Sequence, residues 1–156
     1  MPVKPIPDGY HAVTPYLIVK GAAKAIEFYK HAFNATELLR MPGPDGRIMH
    51  AEVKLGDSVV MLADEVPEMG YRAPGPDGGA SVSLYLYVPD VDATVDRAVA
   101  AGARVTRPIA DQMYGDRNGT LVDPFGHVWS VGTHKEDVSP EEIRRRMAAM
   151  AQKKTA

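Results

Sequence analysis

Apolar and polar positions alternate from Ala12 onward, with Val13, Leu17 and Val19 on one side and Thr14, Tyr16 and Ile18 on the other. This is the period-2 pattern of a strand whose odd positions meet a covering layer. Pro15 cannot donate to a ladder, so the strand is expected at an edge, or paired on one side only at that point. After Lys20-Gly21, the residues Ala22, Ile26, Tyr29 and Phe33 recur at helical spacing, and the pattern stops near Asn34, which predicts an amphipathic helix. A short strand over 35–41, a turn over 42–46 and a hairpin of 48–55 with 58–63 complete the order β-α-β-β-β.

Residues 65–79, rich in Pro, Gly and acidic side chains, read as a linker, and then the order repeats. Over 81–88, Val82, Leu84, Leu86 and Val88 face one way and Ser81, Ser83, Tyr85 and Tyr87 the other. Asp90 is placed to cap a helix that carries Val91, Val95, Ala98 and Val99 on one stripe and is closed by Gly102. A short strand over 105–109 and a hairpin of 114–122 with 127–133 follow, its tip at Asp123-Pro124-Phe125-Gly126. There Asp can bond its own backbone, Pro sets the second turn position and Gly supplies positive φ. Ser139-Pro140-Glu141-Glu142 is a capping box that opens a C-terminal helix through about Ala151.

The two halves align at one offset. Val19 with Val88, Ile26 with Val95, Met61 with Ser130, and Leu55-Gly56 with Pro124-Phe125 all differ by 69, the mark of a duplicated unit. The expected fold is α+β: an arm over 1–11, modules over 12–64 and 80–135 joined by the linker, and a C-terminal helix and tail over 136–156.

Charge and composition narrow the function. The 156 residues carry 20 acidic and 18 basic side chains, a net charge of -2, with basic runs only at Arg144-Arg145-Arg146 and Lys153-Lys154. No nucleic-acid partner is expected. The absence of cysteine excludes a disulfide framework, a thiol nucleophile and cysteine-ligated zinc, and it fits a reducing compartment. No apolar run approaches the roughly 18 residues of a membrane span, and the start of the chain, with Pro2, Pro5 and Pro7, lacks a signal-peptide core. The expectation is a soluble cytoplasmic protein with no membrane partner.

His50 and Glu52 are two apart on a strand, hence on the same side and roughly 7 Å apart along the backbone. They read as a base with its orienting carboxylate, as two ligands of a metal site, or as an inert hydrogen-bonded pair at a cavity rim. Arg117 can pair an anionic substrate, Glu52, or a structural carboxylate. Tyr16, Tyr85 and Tyr87 fall opposite the helix-covered faces, where they line an apolar pocket with hydroxyl handles or pack against a partner subunit. Trp129 and Val131 point towards the helix layer, His127 reads as a turn residue, and His11, His31 and His134 receive no role. Ile143, Met147 and Met150 form a stripe on the final helix that suits docking on its own domain or on a dimer mate.

The two modules, Ala25-Ile26-Glu27-Phe28-Tyr29 in the first helix and Asp123-Pro124-Phe125-Gly126-His127 before the last strand resemble the vicinal-oxygen-chelate superfamily, also called the glyoxalase/bleomycin-resistance/dioxygenase fold. Thr14-Pro15-Tyr16-Leu17, Met49-His50-Ala51-Glu52 and Gly115-Asp116-Arg117-Asn118-Gly119 with Trp129-Ser130 are similar to its PhnB-like branch. The resemblance spans about residues 12–135. It implies a curled mixed sheet around a cavity, helices outside, and a homodimer that pairs or exchanges modules between chains.

It also implies metal-ligand positions on the first and last strand of each module, which here are Thr14, Met61, Ser83 and Ser130. None is His, Asp or Glu, so no metal cofactor is expected. The expected function is metal-independent small-molecule binding, like the drug-sequestering members, with a pocket near Thr14, Tyr16, His50, Glu52, Met61, Ser83, Tyr85, Arg117 and Ser130. The alternative is a glyoxalase-like lyase, isomerase or dioxygenase that uses His50, Glu52 and Arg117, with a divalent metal relocated to His50 and Glu52. A third reading is a dimer module whose cavity is filled by its own side chains. The branch has also been described by resemblance to demethylubiquinone methyltransferases, but no Gly-rich nucleotide loop follows a strand here, and the fold hosts many chemistries.

Overall fold

The computed structural model describes residues 2–75 and 77–154; Met1 of the expected arm, Pro76 of the expected linker, and Thr155 and Ala156 of the expected tail lie outside the described residues. The first module runs β1 (Tyr16–Val19), α1 (Ala22–Phe33), β2 (Thr36–Pro42), β3 (Ile48–Leu55) and β4 (Ser58–Asp64). The second runs β5 (Ser83–Tyr87), α2 (Val91–Ala100), β6 (Arg104–Asp111), β7 (Asp116–Val122) and β8 (Val128–His134), and α3 (Pro140–Lys154) follows. Each module builds its own four-stranded mixed sheet, in the orders β1-β4-β3-β2 and β5-β8-β7-β6, and neither sheet closes. This is the α+β two-module architecture that the repeat predicts.

The repeat is visible in the register. Tyr16 stands beside Met61 in the parallel pair β1–β4, and Tyr85 beside Ser130 in β5–β8, so both strands of the pair keep the offset of 69. The hairpins do not. Leu55 pairs Ser58 across a two-residue turn, whereas Val122 pairs Val128 across the longer Asp123-to-His127 loop. Ala51 therefore pairs Leu62 while Gly119 pairs Val131, an offset of 68 for β3 and β7. The expected match of Leu55-Gly56 with Pro124-Phe125 is corrected by that extra loop length.

One apolar core serves both sheets: Leu17, Val19 and Leu62 meet Ile26 and Tyr29 of α1, Val91 and Val95 of α2, and Leu121, Trp129 and Val131 of the second sheet. Both edge strands are shorter than their alternation predicts. Pro15 accepts the Met61 N–H through its carbonyl before the β1 ladder begins, and β8 starts opposite Ser83, which leaves Val82 unpaired. Val13 and Val82 are consequently exposed rather than covered. On α2 the buried stripe is Val91, Thr94, Val95 and Ala98, and Val99 faces out.

The caps differ between modules. Asp90 caps α2 as expected, accepting from Ala93 N at 3.0 Å. Helix α1 follows Gly21, which has no side chain to cap it, and Asp64 at the end of β4 supplies the carboxylate instead. Its Oδ1 accepts from Gly21 N and Ala22 N at 2.8 Å each, and its Oδ2 accepts from Ile48 N at 2.8 Å. The Asp123 loop joins the modules: its carboxylate accepts from Tyr29 Oη at 2.7 Å, from Trp129 Nε1 at 2.9 Å, and from the backbone N–H groups of Phe125 and His127. Gly126 sits there at φ 90, and a Cβ on it would fall 2.1 Å from the Gly75 carbonyl oxygen, so only glycine lets the linker lie against this turn.

Candidate functional site

On the first sheet, alternation sends Tyr16, His50, Glu52 and Met61 to the face away from α1, since their neighbours Leu17, Ala51, Val53 and Leu62 are in the core. Glu52 pairs Met61 across β3–β4, and Met61 neighbours Tyr16 across β1–β4. The polar members form one chain of hydrogen bonds, with Tyr16 Oη 3.0 Å from His50 Nδ1 and His50 Nε2 3.0 Å from Glu52 Oε1. An ionised carboxylate only accepts, so Nε2 carries the ring proton, and in neutral His50 the Nδ1 atom accepts from the Tyr16 hydroxyl.

The segment before β1 completes the arrangement. Tyr10 donates its hydroxyl to Glu52 Oε2, and Pro5, Ile6, Tyr10, Thr14, Glu52 and Met61 line an open cavity of about 360 Å³. Glu52 is 8% exposed. Burial works against its charge, but the hydrogen bonds from His50 and Tyr10 outweigh it and hold the carboxyl below its usual pKa. Tyr10 is raised, chiefly by its bond to that carboxylate, and Tyr16 is raised by burial and then by Tyr71 and Glu52 nearby. Both phenols therefore keep their protons at neutral pH. The arrangement fixes His50 between Tyr16 and Glu52 and offers the Tyr16 oxygen to hydroxyl or amine donors.

The second sheet presents a different face. Tyr85 and Ser130 are register neighbours, Ser83 lies beside Val128, and Thr120 Oγ1 is 3.2 Å from Ser130 Oγ. Tyr85 and Tyr87 donate to Asp116 Oδ2 at 2.8 and 3.0 Å, and His134 Nδ1 is 2.8 Å from Asp116 Oδ1. Asn118 donates to Tyr85 Oη at 2.8 Å and to Tyr114 Oη, and it accepts from Arg107 at 3.1 Å. Burial opposes charge on Asp116, yet the bonds from His134, Tyr85 and Tyr87 lower its pKa; His134 is raised by Asp116 and Asp137.

The sequence therefore named Tyr16, His50, Glu52, Thr14 and Met61 on one face and Ser83, Tyr85 and Ser130 on the other. It missed Tyr10, Asp116 and Asn118, and gave His134 no role. Arg117 joins neither face. It donates to both Asp92 carboxylate oxygens at 2.8 Å and to Asp111 at 3.2 Å, so the structural ion pair forms and the pairing with Glu52 does not. Parity is the physical reason, because Arg117 lies between Asp116 and Asn118 and must face the opposite way. His127 is a turn residue that also ties the modules, its Nε2 lying 2.9 Å from the Ile18 carbonyl.

This two-module frame has known counterparts. The family model of the Glyoxalase/Bleomycin resistance protein/Dioxygenase superfamily matches residues 10–131. The chain belongs to that superfamily. Among curated proteins it is 46% identical over 141 residues to the uncharacterised protein Mb0911c of Mycobacterium bovis, covering 88% of this chain and 93% of the relative. Among solved structures it is similar to TioX from Micromonospora sp. ML1, with TM-score 0.62, 26% identity, and coverage of 83% of this chain and 100% of that one. A gene product of Arabidopsis thaliana, AT5G48480, matches with TM-score 0.63 and 27% identity over 78% of this chain and 97% of that one.

The positions that the superfamily resemblance assigns to metal ligands hold three hydroxyls, those of Thr14, Ser83 and Ser130, and the Met61 thioether. Thr14 Oγ1 donates to the His11 carbonyl at 3.1 Å, Ser130 bonds Thr120, and Met61 offers sulfur. Among the described residues, no group of three or more His, Asp or Glu is gathered as a metal ion would require.

Proposed function

We propose that this chain is a small-molecule-binding protein of the PhnB-like branch, acting as a cytoplasmic homodimer and without a metal ion. Its ligand occupies the face of the first sheet around Thr14, Tyr16, His50, Glu52 and Met61. The observation that carries this reading is the Tyr16–His50–Glu52 chain of hydrogen bonds, whose Glu52 end bonds Tyr10 and lines, with Thr14 and Met61, a cavity of about 360 Å³, a size usual for small ligands. The Tyr10 hydroxyl occupies the Glu52 oxygen that a ligand hydroxyl would take, so ligand entry displaces the arm.

Hard or borderline divalent metals need about three strong nitrogen, carboxylate or thiolate donors. Thr14, Met61, Ser83 and Ser130 do not fit one, and both His50 nitrogens are already engaged. Support for a dimer comes from Leu39, Met41 and Tyr87, exposed apolar side chains on the two sheets that a second copy would cover. The composition without cysteine suits a reducing compartment. No helix among the described residues is long and apolar enough to cross a membrane.

The test combines elemental analysis with a thermal-shift screen of small hydroxylated compounds against wild type, Tyr16→Phe and His50→Ala. The expected result is no retained metal, with stabilising compounds that lose their effect in both variants. Near-stoichiometric metal that disappears in His50→Ala or Glu52→Ala would sink the metal-free reading and favour the lyase, isomerase or dioxygenase alternative. Compounds that stabilise His50→Ala as well as wild type would remove the site.

A further inference from the structure

We propose that the groove between the end of α1 and helix α2 is a second binding site, one that takes a small organic oxyanion with an apolar body. The groove has a volume of about 500 Å³ and is walled by Phe33 and Asn34, the start of β2, the end of β3, and the segment from Leu86 to Arg97. It shares no lining residue with the cavity over Glu52.

Its charge is the first argument. The acidic and basic side chains on its wall are Lys54, Arg97 and Asp90. Asp90 is committed to the N-terminus of α2, where it accepts the Ala93 N–H. Two cations thus face one engaged carboxylate. Several long basic side chains elsewhere are held by acids, as with Arg40 on Glu37, Arg117 on Asp92 and Arg146 on Glu136. Among the described residues Lys54 and Arg97 have no such acid.

The second argument is an unmet hydrogen bond. Arg97 Nη2 donates to Thr94 Oγ1 at 3.3 Å, and that hydroxyl in turn donates to the Asp90 carbonyl at 2.8 Å, so the guanidinium is held from one end. Its Nε is buried and has no partner. A buried donor left unpaired carries its full desolvation cost, and an acceptor brought from outside relieves it. An oxyanion is the acceptor that also matches the charge, since the guanidinium fork suits a carboxylate or phosphate edge and the Lys54 ammonium adds a point charge.

The third argument is shape. Phe33, Leu86, Val88 and Pro89 form an apolar wall, and the volume exceeds what an inorganic ion fills. The ligand therefore combines an anionic head with a hydrocarbon or aromatic body.

The test is a titration of the isotope-labelled full chain with benzoate and, separately, with inorganic phosphate, following in wild type the Arg97 Nε–H resonance identified by its loss in Arg97→Leu, and in wild type and both variants the backbone amide resonances of the groove wall. Binding is expected to be saturable, and to weaken by about tenfold in both Arg97→Leu and Arg97→Lys. Arg97→Lys keeps the charge but removes Nε, so it separates a local loss from misfolding. Tighter binding of benzoate assigns the head to a carboxylate, and tighter binding of phosphate to a phosphate ester. If neither moves the resonance up to about 10 mM, or if Arg97→Lys binds both like wild type, the proposal falls.

Discussion

Tyr29→Phe removes a single oxygen from the middle of the molecule, and the structure fixes what that oxygen does. Tyr29 is fully buried, and its hydroxyl donates to Asp123 Oδ2 at 2.7 Å, the same oxygen that accepts from Trp129 Nε1 at 2.9 Å. Burial first, and then the neighbouring Asp123 charge, pushes the phenol well above its ordinary pKa, so it is a donor at every working pH. Asp123 is 1% exposed, and water cannot replace the lost donor. The ring stays, packed 5.5 Å from Trp129 and 6.1 Å from Phe33 between centroids, so the substitution leaves no large cavity.

A hydrogen bond to a charged acceptor contributes about 1.5–3 kcal/mol, and the carboxylate keeps three of its four donors. The expected loss is therefore about 2 kcal/mol. With a urea m-value of about 2 kcal/mol/M, the unfolding midpoint falls by about 1 M with no change of slope. Because Tyr29 lies in the first module and Asp123 in the second, tryptophan fluorescence and far-ultraviolet circular dichroism should still report one coincident transition. A midpoint shift below about 0.2 M would refute the account, because the bond between modules would then contribute almost nothing.

Two further predictions follow from the same bonds. Asp64→Ala strips the acceptor from Gly21 N, Ala22 N and Ile48 N together, and a lost cap plus an unpaired strand donor should cost about 2 kcal/mol or more in chemical denaturation; a loss under about 0.5 kcal/mol would show that Asp64 is not the cap of α1. His134 has its pKa raised above 6.5 by Asp116 and then Asp137, so its stabilising charge is present in full below pH 6.5 and is lost as pH rises through the raised value. Wild type should lose melting temperature relative to His134→Gln over that window, and parallel melting curves for the two proteins across about pH 6 to 9 would contradict it.

What the sequence shows and what it hides divide along the range of the interactions involved. Alternation exposed the faces of Leu84 and Leu86 against Tyr85 and Tyr87 because strand parity is local, and Asp90 announced its cap because its partner is three residues away. Asp64 reads only as the last residue of the first module, since its partners Gly21 and Ala22 lie more than forty residues upstream and no local pattern points to them. Tyr10 is hidden for the same reason, being joined to Glu52 across 42 positions. Arg117 was open to a better reading, because parity with Asp116 and Asn118 already turned it away from Glu52.

The duplicated frame explains how the two faces came to differ in chemistry. Tyr16 and Tyr85 occupy matching places at the offset of 69, and His50 and Asn118 match at 68; in both modules the phenol bonds that β3 or β7 partner, at 3.0 Å and 2.8 Å. The direction of the bond reverses. His50 accepts the Tyr16 proton, whereas Asn118 donates to Tyr85, which sends its own proton to Asp116. In neither module is the phenol proton free, so each tyrosine offers a ligand its oxygen as an acceptor. A ligand for the first face must then bring donors of its own. Tyr16→Phe consequently removes an acceptor and leaves the His50–Glu52 pair in place, which makes it the sharper probe of binding, while His50→Ala dismantles the chain that orients it.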